Sequence, residues 1–306
     1  MIENGQDLNF PGEKSMSAFT RRDFLATGAL ATGWSAGLPL PATAAAAASP
    51  LKIGTVTYNI AKDFDLPTLI KNCAATKFEG VELRTGHAHG VELTLTPAQR
   101  AEVRKQFADS PVKLVQLGST YEFHAIDPAE VRKNIEGCKQ YIRLAHDVGC
   151  SGVKVRPNGL QTKAGVPVEK TLEQIGRSLG ELGKTASDFG VEVRVEVHGS
   201  ETSRLEYIQK MMEVANHPMV TVNWNSNPTD LQGGTIEENF ARVSKKVRHV
   251  HMRDLFEENY PWRKLFALLS SINYQGYCCA EIPESSDPLR VMRYYRALFL
   301  AYQGLL

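Results

Sequence analysis

Glu196, Asn225, His251 and Glu281 follow one another at intervals of 29, 26 and 30 positions, each near the end of a short run rich in β-branched residues. Two carboxylates, an amide oxygen and an imidazole suit Mn2+, Mg2+, Co2+ or Zn2+, and four donors leave coordination positions open for a substrate. Side chains two apart on a strand share a face. In 191–198 that rule puts Val191, Val193, Val195 and Val197 on one side and Glu192, Arg194, Glu196 and His198 on the other. It also groups Glu82 with Arg84, Lys154 with Arg156, and His249 with His251 and Arg253, with Glu281 facing the same way. Buried charges are costly unless paired or bound to metal. One divalent metal ion held by Glu196, Asn225, His251 and Glu281 is therefore the expected cofactor; the alternative for each residue alone is an ordinary polar rim.

These residues need a scaffold that brings one strand end after another to a common point. From Leu51 onward, eight β-branched runs, at 52–58, 80–83, 112–117, 152–156, 191–198, 220–224, 247–252 and 277–282, alternate with segments of helical period. Val131, Ile135, Cys138, Ile142 and Ala145 share one helical face, as do Leu172, Ile175, Leu179, Leu182, Ala186 and Phe189. Gly149, Gly190 and Gly276 each precede a strand, where a left-handed residue is expected to end the preceding helix. No GxGxxG turn follows the first run, which lowers the dinucleotide-binding alternative. The expected fold is α/β, a single (β/α)8 TIM barrel over 49–306 following an N-terminal signal segment, with its chemistry at the C-terminal ends of the strands.

The remaining composition narrows the partners. Of the 306 residues, 42% are hydrophobic and the formal net charge is +1, with no basic stripe, so nucleic acid is not an expected partner. Five cysteines include no CxxC pair and are expected as buried thiols, with one bridge open to them if the chain is exported. Thr20-Arg21-Arg22-Asp23-Phe24-Leu25 resembles the twin-arginine (Tat) export motif, and a mildly apolar, Ala-rich stretch and Pro41-Ala42-Thr43-Ala44 follow it. Residues 1–48 thus read as a signal peptide. The resemblance implies the Tat translocation machinery as a partner, a periplasmic or otherwise exported destination, no membrane anchor after cleavage, and metal loading before export.

The chain from Lys52 onward resembles the xylose isomerase-like barrel superfamily, the sugar phosphate isomerases/epimerases. The likeness is carried by Lys52-Ile53-Gly54, Phe78-Glu79-Gly80-Val81-Glu82-Leu83, Val195-Glu196-Val197-His198, His249-Val250-His251-Met252-Arg253-Asp254 and Ala280-Glu281. It implies Glu196, His251 and Glu281 as metal ligands, and Asn225, with Asn227 as a second option, where the family usually has Asp. Replacing Asp by Asn removes one negative charge and should weaken the metal site. The resemblance further implies an isomerase or epimerase acting on a small sugar, keto-sugar or cyclitol through an enediolate, with Glu196 and Glu281 as catalytic carboxylates. His198, Lys154, Arg156, His124, Trp224 and Arg253 are the expected substrate contacts, with His87 and His89 nearby in sequence. Two other functions stay open: a metal-dependent lyase or hydratase on an oxidised sugar, and a non-catalytic sugar-binding barrel. A multi-metal nuclease is more distant.

Overall fold

The computed structural model describes residues 49–306; the expected Tat leader lies outside the described residues. Eight parallel strands close in sequence order: β1 (Lys52–Val56), β2 (Gly80–Arg84), β3 (Lys113–Glu122), β4 (Gly152–Arg156), β5 (Glu192–Glu196), β6 (Val220–Asn225), β7 (Val247–Met252) and β8 (Tyr277–Ala280), with β8 pairing back to β1. Between and after them run α1 (Leu66–Thr76), α2 (Pro97–Ala108), α3 (Pro128–Asp147), α4 (Val168–Phe189), α5 (Leu205–Ala215), α6 (Ile236–Val243), α7 (Trp262–Ser271) and α8 (Pro288–Tyr302). The fold is a TIM barrel.

The helices cover the barrel through the apolar stripes read from the sequence. Val131, Ile135, Cys138, Ile142 and Ala145 of α3 and Leu172, Ile175, Leu179, Leu182 and Ala186 of α4 are all buried, while Phe189 is partly exposed. On the facing strands Val193, Val195, Val220, Val222, Trp224 and Val250 complete this layer, each large apolar side chain contributing about 1.5–3 kcal/mol. Loops leaving the strand ends enter several helices through side-chain caps: Asp65, Thr96, Asp127, Thr235 and Asp287 each accept from a backbone N–H of the first turn. The loops that frame the mouth are thereby tied to fixed helix starts.

Three local features differ from expectation. Strand β3 extends to Glu122, which pairs with Arg156 of β4 after a shift of register that follows the Gly118–Lys154 pair. Gly149 and Gly190 are left-handed, at φ 78° and 63°, but Gly276 is not; the left-handed residue after α7 is Asn273. Gly276 is instead required by contact, since a Cβ there would stand 2.3 Å from Tyr274 Oη and 2.5 Å from the Arg248 carbonyl oxygen. Lys77 and Asn216, both left-handed, end α1 and α5 without glycine. All five cysteines are buried free thiols, and among the described residues no helix is long and apolar enough to cross a membrane.

Candidate active site and metal centre

The centre of the site is the His251 ring, fully enclosed at the end of β7. Its Nδ1 lies 3.1 Å from Glu196 Oε1 and 3.5 Å from Glu281 Oε2, and its Nε2 lies 2.6 Å from Glu82 Oε2. Lys154 Nζ donates to Glu196 Oε2 at 2.8 Å, and Gln116 Nε2 donates to Glu82 Oε2 at the same distance. Asn225 Nδ2 is 3.5 Å from Glu196 Oε1, and Asn223 Nδ2 is 3.1 Å from His251 Nε2. Glu82, Lys154, Glu196 and His251 are almost wholly buried, whereas the Glu281 side chain is 20% exposed. Glu281 is thus the carboxylate of this cluster that an incoming molecule meets first.

Electrostatics holds the buried groups in defined states. Burial alone would raise the Glu196 and Glu82 carboxyls, but Lys154 and His251 beside Glu196, and His251 and His249 beside Glu82, hold both well below the usual carboxylate range. Burial would likewise lower His251, yet Glu82, Glu281 and Glu196 push it well above the usual histidine range. Lys154 is raised because Glu196, Glu82 and Glu281 outweigh its desolvation. His249 is different: burial takes it down to about 4, keeping it neutral. Its Nε2 stands 3.1 Å from Glu82 Oε2, but out of line for a hydrogen bond.

A divalent cation fits these residues. The facing atoms of Glu196, His251 and Glu281 lie within 4.8 Å of one another, as do those of Glu82, His249 and His251. Charge separates the two sets. In formal charges, Glu82, Glu196 and Glu281 face Lys154 and a ligating, neutral His251, leaving two negative charges in excess, which one divalent ion balances. A second ion would leave the interior strongly positive, at great desolvation cost. Glu196, His251 and Glu281 form the set nearer the mouth, so they are the residues that would hold the ion. With His251 Nδ1 as donor, Nε2–H donates to Glu82, the carboxylate–imidazole arrangement that fixes tautomer and ring orientation in metal sites. Glu82 Oε1 and Asn223 Oδ1 remain buried without a partner among the described residues. Asn225 can offer its oxygen to the same point by turning its amide about the last side-chain bond.

The other residues expected from sequence form a rim rather than part of this cluster. Arg156 donates to Glu122 Oε1 at 2.6 Å, His124 Nδ1 is 3.7 Å from Glu122 Oε2, and His198 Nδ1 is 2.5 Å from Asn158 Oδ1. Asn158 also donates to Glu122, so these five side chains make one polar patch between β3, β4 and β5. Arg253 pairs with Glu257 at 3.1 Å. Asn227 donates to the Val197 carbonyl, away from the cluster. His87 meets Thr57 Oγ1 at 2.8 Å, while His89 is held by the Arg84 carbonyl and the Val91 N–H and braces its own loop. Trp224 requires a correction. It is fully buried on the helix side of β6, edge-on to Phe240 and donating to Tyr260 Oη at 3.1 Å, and cannot reach a substrate in the mouth. The parity that turns Asn223 and Asn225 inward turns Trp224 outward. Glu82, His249, Asn223 and Gln116 were not among the expected site residues, although parity alone placed Glu82 and His249 inside the barrel.

Comparison with known proteins agrees with this architecture. A stretch of 165 residues is 23% identical to an inosose dehydratase of Mesomycoplasma hyopneumoniae (strain 7448), covering 42% of this chain and 54% of that protein; the match spans about half the relative's length. Among solved structures, a 3-keto-D-glucoside 4-epimerase from E. coli superposes with a TM-score of 0.69 at 16% identity, covering 82% of this chain and 99% of the epimerase. The IOLI protein, solved with a bound zinc atom, superposes with a TM-score of 0.66 at 14% identity over 83% of this chain and 96% of its own. Residues 70–298 match the family model for the xylose isomerase-like TIM barrel, and the chain belongs to that family.

Proposed function

We propose that this protein is a divalent-metal-dependent isomerase or epimerase acting on a sugar, keto-sugar or cyclitol. The observation that carries this reading is Glu281: a partly exposed carboxylate, 3.5 Å from the buried His251 and belonging to a donor set whose excess charge matches one divalent ion. The metal, when bound, supplies stabilisation of the negative charge that develops on a carbonyl oxygen during proton abstraction. Glu281 takes the proton from the carbon beside that carbonyl; delivering it to the former carbonyl carbon, while the hydroxyl proton passes to the carbonyl oxygen, isomerises the sugar, and reprotonation of the first carbon from the opposite face, on the side of Glu196, inverts it. Glu196 keeps its charge under Lys154 and His251, and Glu82 holds the His251 ring in place. The rim patch of Glu122, Arg156, Asn158 and His198 offers hydrogen bonds to sugar hydroxyls. The neighbouring 3-keto-D-glucoside 4-epimerase supports this class.

A second reading, a dehydratase or lyase, is favoured by one specific feature. Lys154 occupies Glu196 Oε2 at 2.8 Å, so the two carboxylates are not equivalent bases. Epimerisation through opposite faces uses two bases, whereas elimination of a β-substituent can proceed with one base and a cationic acid such as Lys154. The inosose dehydratase relative is consistent with it. The test is incubation of metal-replete protein with a panel of keto-sugars, keto-glycosides and inososes in D2O, read by NMR. Solvent deuterium at an inverted stereocentre or at the former carbonyl carbon supports epimerase or isomerase; loss of water or of an aglycone without inversion assigns the lyase. No exchange and no product with any compound, together with metal content below a few per cent of chains, rejects both. We further propose, from residues 1–48, that the enzyme acts outside the cytoplasm after Tat export, which subcellular fractionation with and without Arg21→Lys/Arg22→Lys tests.

A further inference from the structure

The strands carry four cations to the mouth or just beneath it: Arg84 at the end of β2, Lys154 and Arg156 on β4, and Arg253 one residue past β7. Three have carboxylate partners: Lys154 pairs with Glu196 at 2.8 Å, Arg156 with Glu122 at 2.6 Å and Arg253 with Glu257 at 3.1 Å. The Arg84 guanidinium has neither a carboxylate nor a hydrogen-bond partner among the described residues, and only its main chain is engaged, by Thr57 and His89. The nearby acid, Glu92, is already taken by Thr85, the Gly86 N–H and Tyr141. Arg84 is nevertheless half-buried, so it has given up part of its hydration without gaining a hydrogen bond or ion pair for its guanidinium among the described residues.

Its surroundings are built to hold it. Its guanidinium carbon lies 5.0 Å from the centre of the Tyr58 ring, which itself stacks on His87 at 6.3 Å and 13°. A cation over an aromatic face is attracted to it while its N–H edges stay free for a ligand. Arg84 also shares the inward face of β2 with Glu82, two residues deeper, and so sits about 6–7 Å closer to the mouth. Glu82 Oε2 is 2.6 Å from His251 Nε2. The distance from the chemical centre to Arg84 is thus of the order of one sugar ring.

We propose that Arg84, backed by Tyr58, is an anion-binding residue of this mouth, and that the substrate is an acidic sugar: a hydroxy-keto compound bearing a carboxylate. This rests on the sugar-active function proposed above and adds its substrate class. A carboxylate matches the guanidinium fork with two parallel N–H···O bonds, which a neutral hydroxyl cannot do.

The test compares methyl β-D-glucuronide with methyl β-D-glucoside by isothermal titration calorimetry on the protein as purified, at 50 and 500 mM salt. The glucuronide should bind about 10- to 100-fold more tightly, as expected for one charge-assisted bidentate contact, and the preference should shrink at high salt. Arg84→Gln should erase the preference with metal content and melting temperature unchanged. Arg84→Lys, which keeps the charge but loses the fork, should retain only part of it, and this variant decides the matter if Arg84→Gln does not fold. Equal binding of the two glycosides, no binding of either, or an acid preference that survives both substitutions overturns the proposal. Turnover of keto-sugars by the unaltered protein is read separately. Turnover without acid preference removes Arg84's role alone, and acid preference without turnover removes the enzymatic reading while leaving the anion site.

Discussion

The two ends of the barrel are both polar, yet they handle charge in opposite ways. At the N-terminal ends of the strands a cavity of about 910 Å3 is lined by Glu192, Arg194, Arg248, His249, Tyr274 and Tyr277, among others. Its buried cation is fully engaged: Arg194 bonds Glu192 at 2.9 Å, the Val115 carbonyl at 2.9 Å and Ser151 Oγ at 3.1 Å. At the C-terminal ends the reverse holds. Glu281 is partly exposed, Arg84 lacks a carboxylate partner among the described residues, and Glu82 Oε1 and Asn223 Oδ1 are buried without a hydrogen bond. Cavity size alone would put the site at the wrong end. Unpaired charge is the better guide, because a fold that needs only stability pairs its buried charges, as the N-terminal end does, where His249 Nε2 also lacks a hydrogen bond but belongs to a neutral ring.

The comparison breaks most visibly at Glu281. Replacing it by Gln keeps the shape and removes the base, so turnover of whichever keto-sugar is active should fall by about 10^2- to 10^4-fold. If steady-state kinetics show less than a threefold change, the base lies elsewhere. Next in size is Glu82→Gln. An amide can present N–H toward His251 Nε2, which removes the acceptor that fixes the ring, so metal affinity measured by competition with a chelator should drop about 10- to 100-fold. Unchanged affinity would make Glu82 a purely structural acid and leave His251 oriented by Asn223 alone.

Why Glu281 was legible in the sequence and the Glu82 contact was not has a geometric answer. Alternation within one strand is local, so β5 announced its inward set, Glu192, Arg194, Glu196 and His198, without any knowledge of neighbouring strands. Spacing by one βα unit then aligned Glu196, Asn225, His251 and Glu281 at consecutive strand ends, and the structure brings these four side chains to one place. Contacts across the barrel axis carry no such signal. Glu82 and His251 are separated by 169 residues and meet only because the sheet closes. Trp224 differs because it alternates with the inward-facing Asn223 and Asn225 on β6, which turns its ring into the helix layer rather than toward the mouth. The rim patch joining Glu122, Asn158 and His198 depends on loop conformation, including the left-handed Asn158 at φ 56°, which strand and helix periodicities do not reach.

At the N-terminal end, the same comparison predicts an effect on stability with little on chemistry. Arg194→Met removes a guanidinium that satisfies Glu192, Ser151 and the Val115 carbonyl, and leaves those acceptors partly unpaired. Unfolding in urea should show a loss of about 1–3 kcal/mol, with metal affinity unchanged. A loss of metal affinity as large as that of Glu82→Gln would mean that the two ends are coupled through Gln116, which touches both Arg194 and Glu82.

The last expected effect is one of pH dependence and concerns a buried acid at the mouth that is outside the metal cluster. Asp230 lies in the short turn after β6, where its Oδ2 accepts from Tyr260 Oη at 2.6 Å and from the Asn227 N–H at 3.1 Å, while Oδ1 has no partner among the described residues. Burial pushes its carboxyl up to about 8, against the two hydrogen bonds and Arg253, which act to lower it. The folded state therefore binds this proton more tightly than the unfolded chain, whose Asp ionises near 3.9. Its stabilising contribution is complete below the unfolded value and is lost as pH rises toward the folded value, at no more than about 1.4 kcal/mol per pH unit. Asp230→Asn should keep the neutral shape and remove the titration, so the difference in urea midpoint between the unaltered protein and the variant should move in favour of the variant from pH 5 to pH 8. Parallel pH profiles would mean that Asp230 ionises at its ordinary pH in the fold, with water or Arg253 reaching Oδ1, and the turn after β6 would then be wetter than its enclosure implies.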